Sequence, residues 1–157
     1  MIFVTVGTTP FPFYRMVDVV KGLIKSRKKD EAIIFQHGNI RCDIKEKNVI
    51  LYRYLPFSKM EYYIKQARII VTHGGPATIY QVLAAGKIPH VLPREKKYGE
   101  HVNNHQVVFL DFMEKSGLVN PINSTRDVVR KPLIKPVLPI TTSRNLVAYL
   151  TNITKCI

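Results

Sequence analysis

Two segments of this chain concentrate side chains that can hydrogen-bond a small molecule, and each begins where an apolar run stops. The first is Thr72-His73-Gly74-Gly75-Pro76-Ala77-Thr78, which leads from a strand-like run into a helix start. Paired glycines let the backbone approach a ligand, and a helix N-terminus offers unpaired N–H groups at a positive dipole end. An anion facing the amides of Ala77 and Thr78 would bring an attached ribose within reach of Gln81, on the same helix face as Thr78. A lone histidine at a strand end is ordinarily a satisfied structural residue. The adjacent glycines and helix start argue that His73 serves a ligand instead.

The second segment runs from Pro93 to Gln106 and holds Glu100, His101, Asn103, Asn104, His105 and Gln106 at its end. A carboxylate, two imidazoles and three amides supply both donors and acceptors, as sugar hydroxyls require. Zinc is the rival reading, because His101 and His105 stand at an i,i+4 spacing that can bind it. No glutamate follows His101, however, and no cysteine is near, so no metal is expected. A third segment, Gly7-Thr8-Thr9, could cradle phosphate through its hydroxyls; taken alone, it reads as a plain turn.

These segments need a frame. Apolar runs at 2–6, 31–36, 49–52, 68–72 and 88–92 read as buried strands, with a possible edge strand at 118–119. Helical spacing of Met16, Val17, Val19, Val20, Leu23 and Ile24 predicts a helix over 12–27. Ser58 with Glu61 reads as a capping box opening a helix to about Gln66. Pro76 at a first helical position and Gly86 past the end frame another, and residues 101–116 a fourth. Strands alternating with helices on short connections imply an α/β fold: one Rossmann-like domain whose parallel sheet is covered on both faces. In such sheets ligands bind beyond the carboxyl ends of the strands, where all three segments fall. The domain is expected over 1–120. Pro121, Pro132, Pro136 and Pro139 then mark a basic tail over 121–157, with a terminal helix near 143–154 capped by Ser143.

Composition sets outer bounds. The 157 residues are 46% hydrophobic and 22% charged, a globular balance that excludes wholesale disorder. Met1 to Gly7 lacks a basic stretch before its apolar run and so reads as a strand rather than a secretory leader. No apolar run approaches the roughly 20 residues of a membrane span. Cys42 and Cys156 stand far apart, as reduced thiols in a cytoplasm would. Lys and Arg number 24 against 11 acids, a net charge of +13, and no acid follows Asp127. Such a field attracts anionic lipid or phosphorylated substrates. Nucleic acid is not expected, because the basic stretches lack interleaved aromatics.

The segment around Val71-Thr-His-Gly-Gly-Pro, the Gly86…Pro89…Pro93 spacing and Tyr98-Gly-Glu-His-Val-Asn-Asn-His-Gln together resemble the glycosyltransferase family 28 C-terminal domain. That is the donor-binding half of a GT-B glycosyltransferase. The opening Met1-Ile-Phe-Val-Thr-Val-Gly-Thr is similar too. Stand-alone versions are the best likeness: the soluble subunit of the two-protein dolichol-linked GlcNAc transferase and its bacterial capsular or exopolysaccharide counterparts.

The resemblance implies roles. Gly7 and Thr8 would line the nucleotide diphosphate, backbone groups near Leu55 would hold uracil, and His73, Gly74, Gly75 and Thr78 would hold the diphosphate. Gln81 stands where many relatives place a ribose-binding glutamate. Glu100, His101 and Asn104 would contact the donor sugar, with Gln106 supporting them. The substrate would be a UDP-sugar, with no cofactor and no metal. The acceptor domain and catalytic base would lie on a membrane-associated partner subunit that presents a lipid-linked saccharide. Residence would be cytoplasmic, peripheral at the anionic inner face of the cell membrane. A non-catalytic enhancer of a partner transferase is the second reading. An epimerase would need two domains in one chain, and a small RNA-binding protein would fit the charge alone.

Overall fold

The computed structural model describes residues 1–130. Six short strands form one sheet: β1 (Ile2–Thr5), β2 (Ile33–Gln36), β3 (Val49–Tyr52), β4 (Ile69–His73), β5 (His90–Leu92) and β6 (Asn120–Pro121). Their order is β3-β2-β1-β4-β5-β6, and every neighbouring pair is parallel. The α/β, Rossmann-like fold class read from the sequence is the one observed. From β1 the chain steps outward to β3, then returns to place β4 on the other side of β1. That reversal opens a crevice between the loops leaving β1 and β4.

Helices α1 (Tyr14–Ser26), α2 (Phe57–Gln66), α3 (Pro76–Ala84), α4 (His105–Lys115) and α5 (Thr125–Arg130) flank the sheet. On α1, Met16, Val19, Val20 and Leu23 recur at i, i+3, i+4 and i+7, so one stripe is buried. They pack on Ile2, Val4 and Val6 of the first strand and its exit, while Phe3 points to the opposite face and meets Ile64 and Val82. Both faces are thus covered, which is why the inner strands are apolar without a break.

Several boundaries differ from the sequence expectation. No side chain caps α2; the extended Pro56 precedes it, so Ser58 lies inside the first turn and Glu61 pairs with Lys65. Strand β5 starts at His90, after Pro89, whose missing N–H cannot join the ladder. The fourth helix begins at His105 rather than 101, preceded by a 3-10 turn at Lys96–Tyr98 and a left-handed Gly99. The backbone of that stretch bonds instead to the side chains of Glu100 and Asn104. The edge strand falls at Asn120–Pro121, because Leu118 and Val119 turn into the core against α4.

Residues 121–130 also pack onto the domain, so its core runs past 120. Ile122 and Val128 are buried, and Thr125 donates to the Val19 carbonyl at 3.1 Å. Gly22 on α1 has no room for a Cβ because Thr125 sits against it. The helix expected near 143–154 lies outside the described residues.

Candidate active site

At the carboxyl edge of the sheet the buried strands end in polar residues. Thr5 of β1 stands in register with Gln36 of β2 and Thr72 of β4. The Thr5 hydroxyl donates to Gln36 Oε1, and Gln36 Nε2 donates to the Gly7 carbonyl at 2.9 Å and the Arg53 carbonyl at 3.0 Å. Gly7 N–H returns to Thr5 Oγ1 at 3.2 Å. The loop after β1 is therefore pinned from two sides. Gly7 itself is left-handed, with φ +72°.

Against this loop lies His73, the last residue of β4. Its ring fills the space between Gly7 and Gly75: a Cβ on Gly7 would fall 2.5 Å from His73 Cε1, and one on Gly75 would overlap the ring. Two of the glycines thus make room for an imidazole. Burial drives the His73 pKa down to about 3, helped by the positive charge of Arg94, so the ring is neutral.

Beyond the ring opens a cavity of about 390 Å³. Its floor is Thr5, Gln36 and Gly7, with Thr8 at the edge; its walls are His73, Gly75 and the first turns of α3, and Leu55, Phe57 and Met60. Helix α3 begins at Pro76 with Gly75 as N-cap, and no side chain satisfies its first amides. The first helical bond is Ile79 N–H to the Gly75 carbonyl, so the amides of Ala77 and Thr78 lie ahead of it. Both residues line the cavity, together with Gln81 one turn further on. An anion there meets amides and a positive helix end; the apolar wall opposite suits a flat ring.

Of the residues singled out in the sequence, Gly7, Thr8, Leu55, His73, Gly75, Thr78 and Gln81 meet in this one cavity. Gly74 does not face it. A Cβ there would press on Gln106, whose Oε1 accepts from Gly74 N–H at 3.1 Å. Glu100, His101, Asn104 and Gln106 lie on the neighbouring loop and α4, outside the cavity wall. Three of their side chains are already engaged within the protein. Glu100 is buried, forks onto Arg15 and accepts from Glu95 N–H at 3.1 Å. Asn104 Oδ1 accepts from Lys96 N–H at 2.8 Å. Gln106 holds two backbone amides, one of them Arg94 N–H at 3.0 Å. His101 is half-buried beside Phe11 and His105, and its Nδ1 has no hydrogen-bond partner among the described residues. Burial, His105 and Arg94 hold its pKa below the usual histidine value, with Asn103 acting against them.

Sequence reasoning passed over Thr5, Gln36, Phe57, Met60 and above all Arg94, which is fully buried. Polar residues ending otherwise apolar strands were the available signal for the first two. Among the described residues no three His, Cys, Asp or Glu side chains gather as a metal site, and no helix is long and apolar enough to cross a membrane.

The profile of the glycosyltransferase family 28 C-terminal domain matches residues 1–133. The chain belongs to that family. A search of curated protein sequences finds no significant match. Among solved structures, the glycotransferase of kitacinnamycin superposes with a TM-score of 0.59 at 19% identity, covering 82% of this chain and 32% of its own. The glycosyltransferase SnogD from Streptomyces nogalater gives 0.56 at 19% identity, covering 84% and 34%. The chain thus spans about a third of the length of these glycosyltransferases, and what it shares with them is the fold. Parallel sheets of this kind take ligands at the switch point, and the cavity of this family 28 domain lies there.

Proposed function

We propose that this family 28 domain binds the UDP part of a UDP-sugar in the cavity at the β1/β4 crevice. The supporting observation is the convergence of the α3 amides, neutral His73 and the Gly7 loop on one 390 Å³ space with an apolar wall beside it. Diphosphate would sit at the α3 start, ribose against Gln81, and uracil along Leu55, Phe57 and Met60. The sugar would project toward the Glu100–Asn104 loop.

The reaction would be an inverting displacement. An acceptor hydroxyl attacks the anomeric carbon, its proton passes to a base on a partner, and the bond to UDP breaks with its electrons leaving on phosphate. This chain's share is to stabilise that departing charge through helix amides and the field of its net positive charge. The acceptor would be lipid-linked, presented by a membrane-associated partner subunit in bacterial capsule or exopolysaccharide synthesis.

The second reading, an enhancer that binds no reacting donor, is favoured by one observation: Glu100, Asn104 and Gln106 are bonded internally. Calorimetric titration of UDP and several UDP-sugars, with and without the partner, separates the two. Donor binding predicts saturable UDP affinity. Its absence from both the single chain and the assembly would sink the donor-site reading.

A further inference from the structure

Arg94 is fully buried, yet among the described residues its side chain forms no ion pair at contact distance. Its guanidinium donates to main-chain carbonyls instead: Nη2 to Val6 at 2.8 Å, and Nη1 to Phe11 at 2.9 Å, Glu100 at 3.2 Å and Pro12 at 3.5 Å. The Phe13 ring lies under it, 4.5 Å from Cζ. Burial lowers its pKa to about 10, and Glu100 opposes that shift, so the cation is retained. The backbone N–H of the same residue donates to Gln106 Oε1, which also receives Gly74 N–H.

Three loops therefore end on two side chains. Val6 precedes the Gly7 turn after β1, Gly74 belongs to the loop after β4, and Glu100 to the loop after β5. A guanidinium is planar and forked, so it holds its several acceptors in one fixed geometry. An amide oxygen with two lone pairs can hold two N–H groups at one spacing. Neither side chain lines the cavity.

We propose that Arg94 and Gln106 form a buried positioning node. It sets the spacing between the cavity loops after β1 and β4 and the loop carrying Glu100, His101 and Asn104. The node thereby governs how tightly an intact UDP-sugar binds relative to UDP, a consequence that rests on the donor-site reading above. A rigid link between the nucleotide half and the sugar half lets one ligand engage both without reordering either.

The test uses the full chain and compares Gln106→Leu, which removes the acceptor, with Gln106→Glu, which keeps it. Without ligand, amide exchange at Gly74 and Arg94 is expected to quicken about ten-fold or more in Gln106→Leu and to stay near wild type in Gln106→Glu. With ligand, calorimetry using UDP and UDP-N-acetylglucosamine is expected to show the UDP-sugar weakened about ten-fold more than UDP in Gln106→Leu. Arg94→Lys, which keeps charge and loses the fork but leaves the Gln106 acceptor, is expected to weaken the UDP-sugar more than UDP in the same way and serves if Gln106→Leu does not fold. Unchanged exchange at both amides, or equal weakening of the two nucleotides, would overturn the node. Wild-type protein that binds neither nucleotide would overturn the donor-site reading, while the ligand-free exchange still decides whether the node exists.

Discussion

Arg15 of α1 and Glu100 of the β5–α4 loop, 85 residues apart, meet in a forked ion pair in which Nε donates to Oε1 at 2.9 Å and Nη2 to Oε2. Arg15 also lies over the Tyr98 ring at 4.4 Å and donates to the Pro93 carbonyl at 2.7 Å. One side chain thus holds the whole loop onto α1. The two partners are unequal: the Glu100 side chain is 4% exposed and that of Arg15 24%. Arg15→Ala strands a buried carboxylate, whereas Glu100→Gln leaves a guanidinium that can reach water. Arg15→Ala should therefore cost about 2–3 kcal/mol and Glu100→Gln clearly less. Urea unfolding of both variants measures the difference, and equal costs would contradict the asymmetry.

The glycines against His73 predict a coupling. Gly75 has φ −77°, so alanine there is opposed by the imidazole and not by the backbone. Gly75→Ala should destabilise wild type by about 1–3 kcal/mol and the His73→Ala background by much less. Gly7→Ala should be relieved only in part by His73→Ala, because its left-handed φ still disfavours a side chain by about 1–2 kcal/mol. A double-mutant cycle on unfolding free energies reads both terms.

Stability should fall with acid through His73. Its folded pKa, about 3, lies below the usual histidine value of 6.5, so the unfolded chain takes up this proton first. The domain should lose up to about 1.4 kcal/mol per pH unit as pH drops from roughly 6.5 toward 3, and nothing from this group above that window. His73→Asn should remove this part of the slope. Denaturant unfolding of both proteins at pH 7 and pH 5 provides the comparison.

Binding should separate the cavity residues from those beside it. Thr78→Ala and His73→Ala are each expected to weaken UDP by about 1–3 kcal/mol while the domain stays folded. Glu100→Ala and His101→Ala should spare UDP and lower affinity for UDP-sugars. Calorimetry checks the four variants, with circular dichroism to confirm folding.

Lys87 makes a different kind of contact. Its ammonium donates to the carbonyls of Ile64, Lys65 and Ala67 at 2.8, 2.6 and 2.7 Å, closing the end of α2. Lys87→Met should cost about 1–3 kcal/mol and quicken exchange in the last turn of α2. Thermal melts and amide exchange report the two effects.

From the residues alone came the alternation of strands and helices, the parallel sheet and the site's position at the strand ends. Those follow from local physics: apolar runs long enough for strands, 3.6-residue spacing, proline at a helix start and glycine at its end. Most of the cavity was legible for the same reason, since Gly7, His73, Gly75, Thr78 and Gln81 sit on strand-to-helix turns whose chemistry shows in sequence. What Glu100, Asn104 and Gln106 actually touch was not. Their partners, Arg15, Lys96, Gly74 and Arg94, are chosen by how three loops converge once the sheet has formed. Arg94 lay in a polar segment with nothing to mark it as buried; its burial depends on carbonyls of Val6 and Phe11 more than 80 residues away. The packing of residues 121–130 onto α1 was hidden likewise, because Pro121 breaks the strand pattern while Ile122 and Val128 find their cavity only in the folded domain. Periodicity reveals which face of an element is apolar, but only tertiary contact decides which polar group meets which.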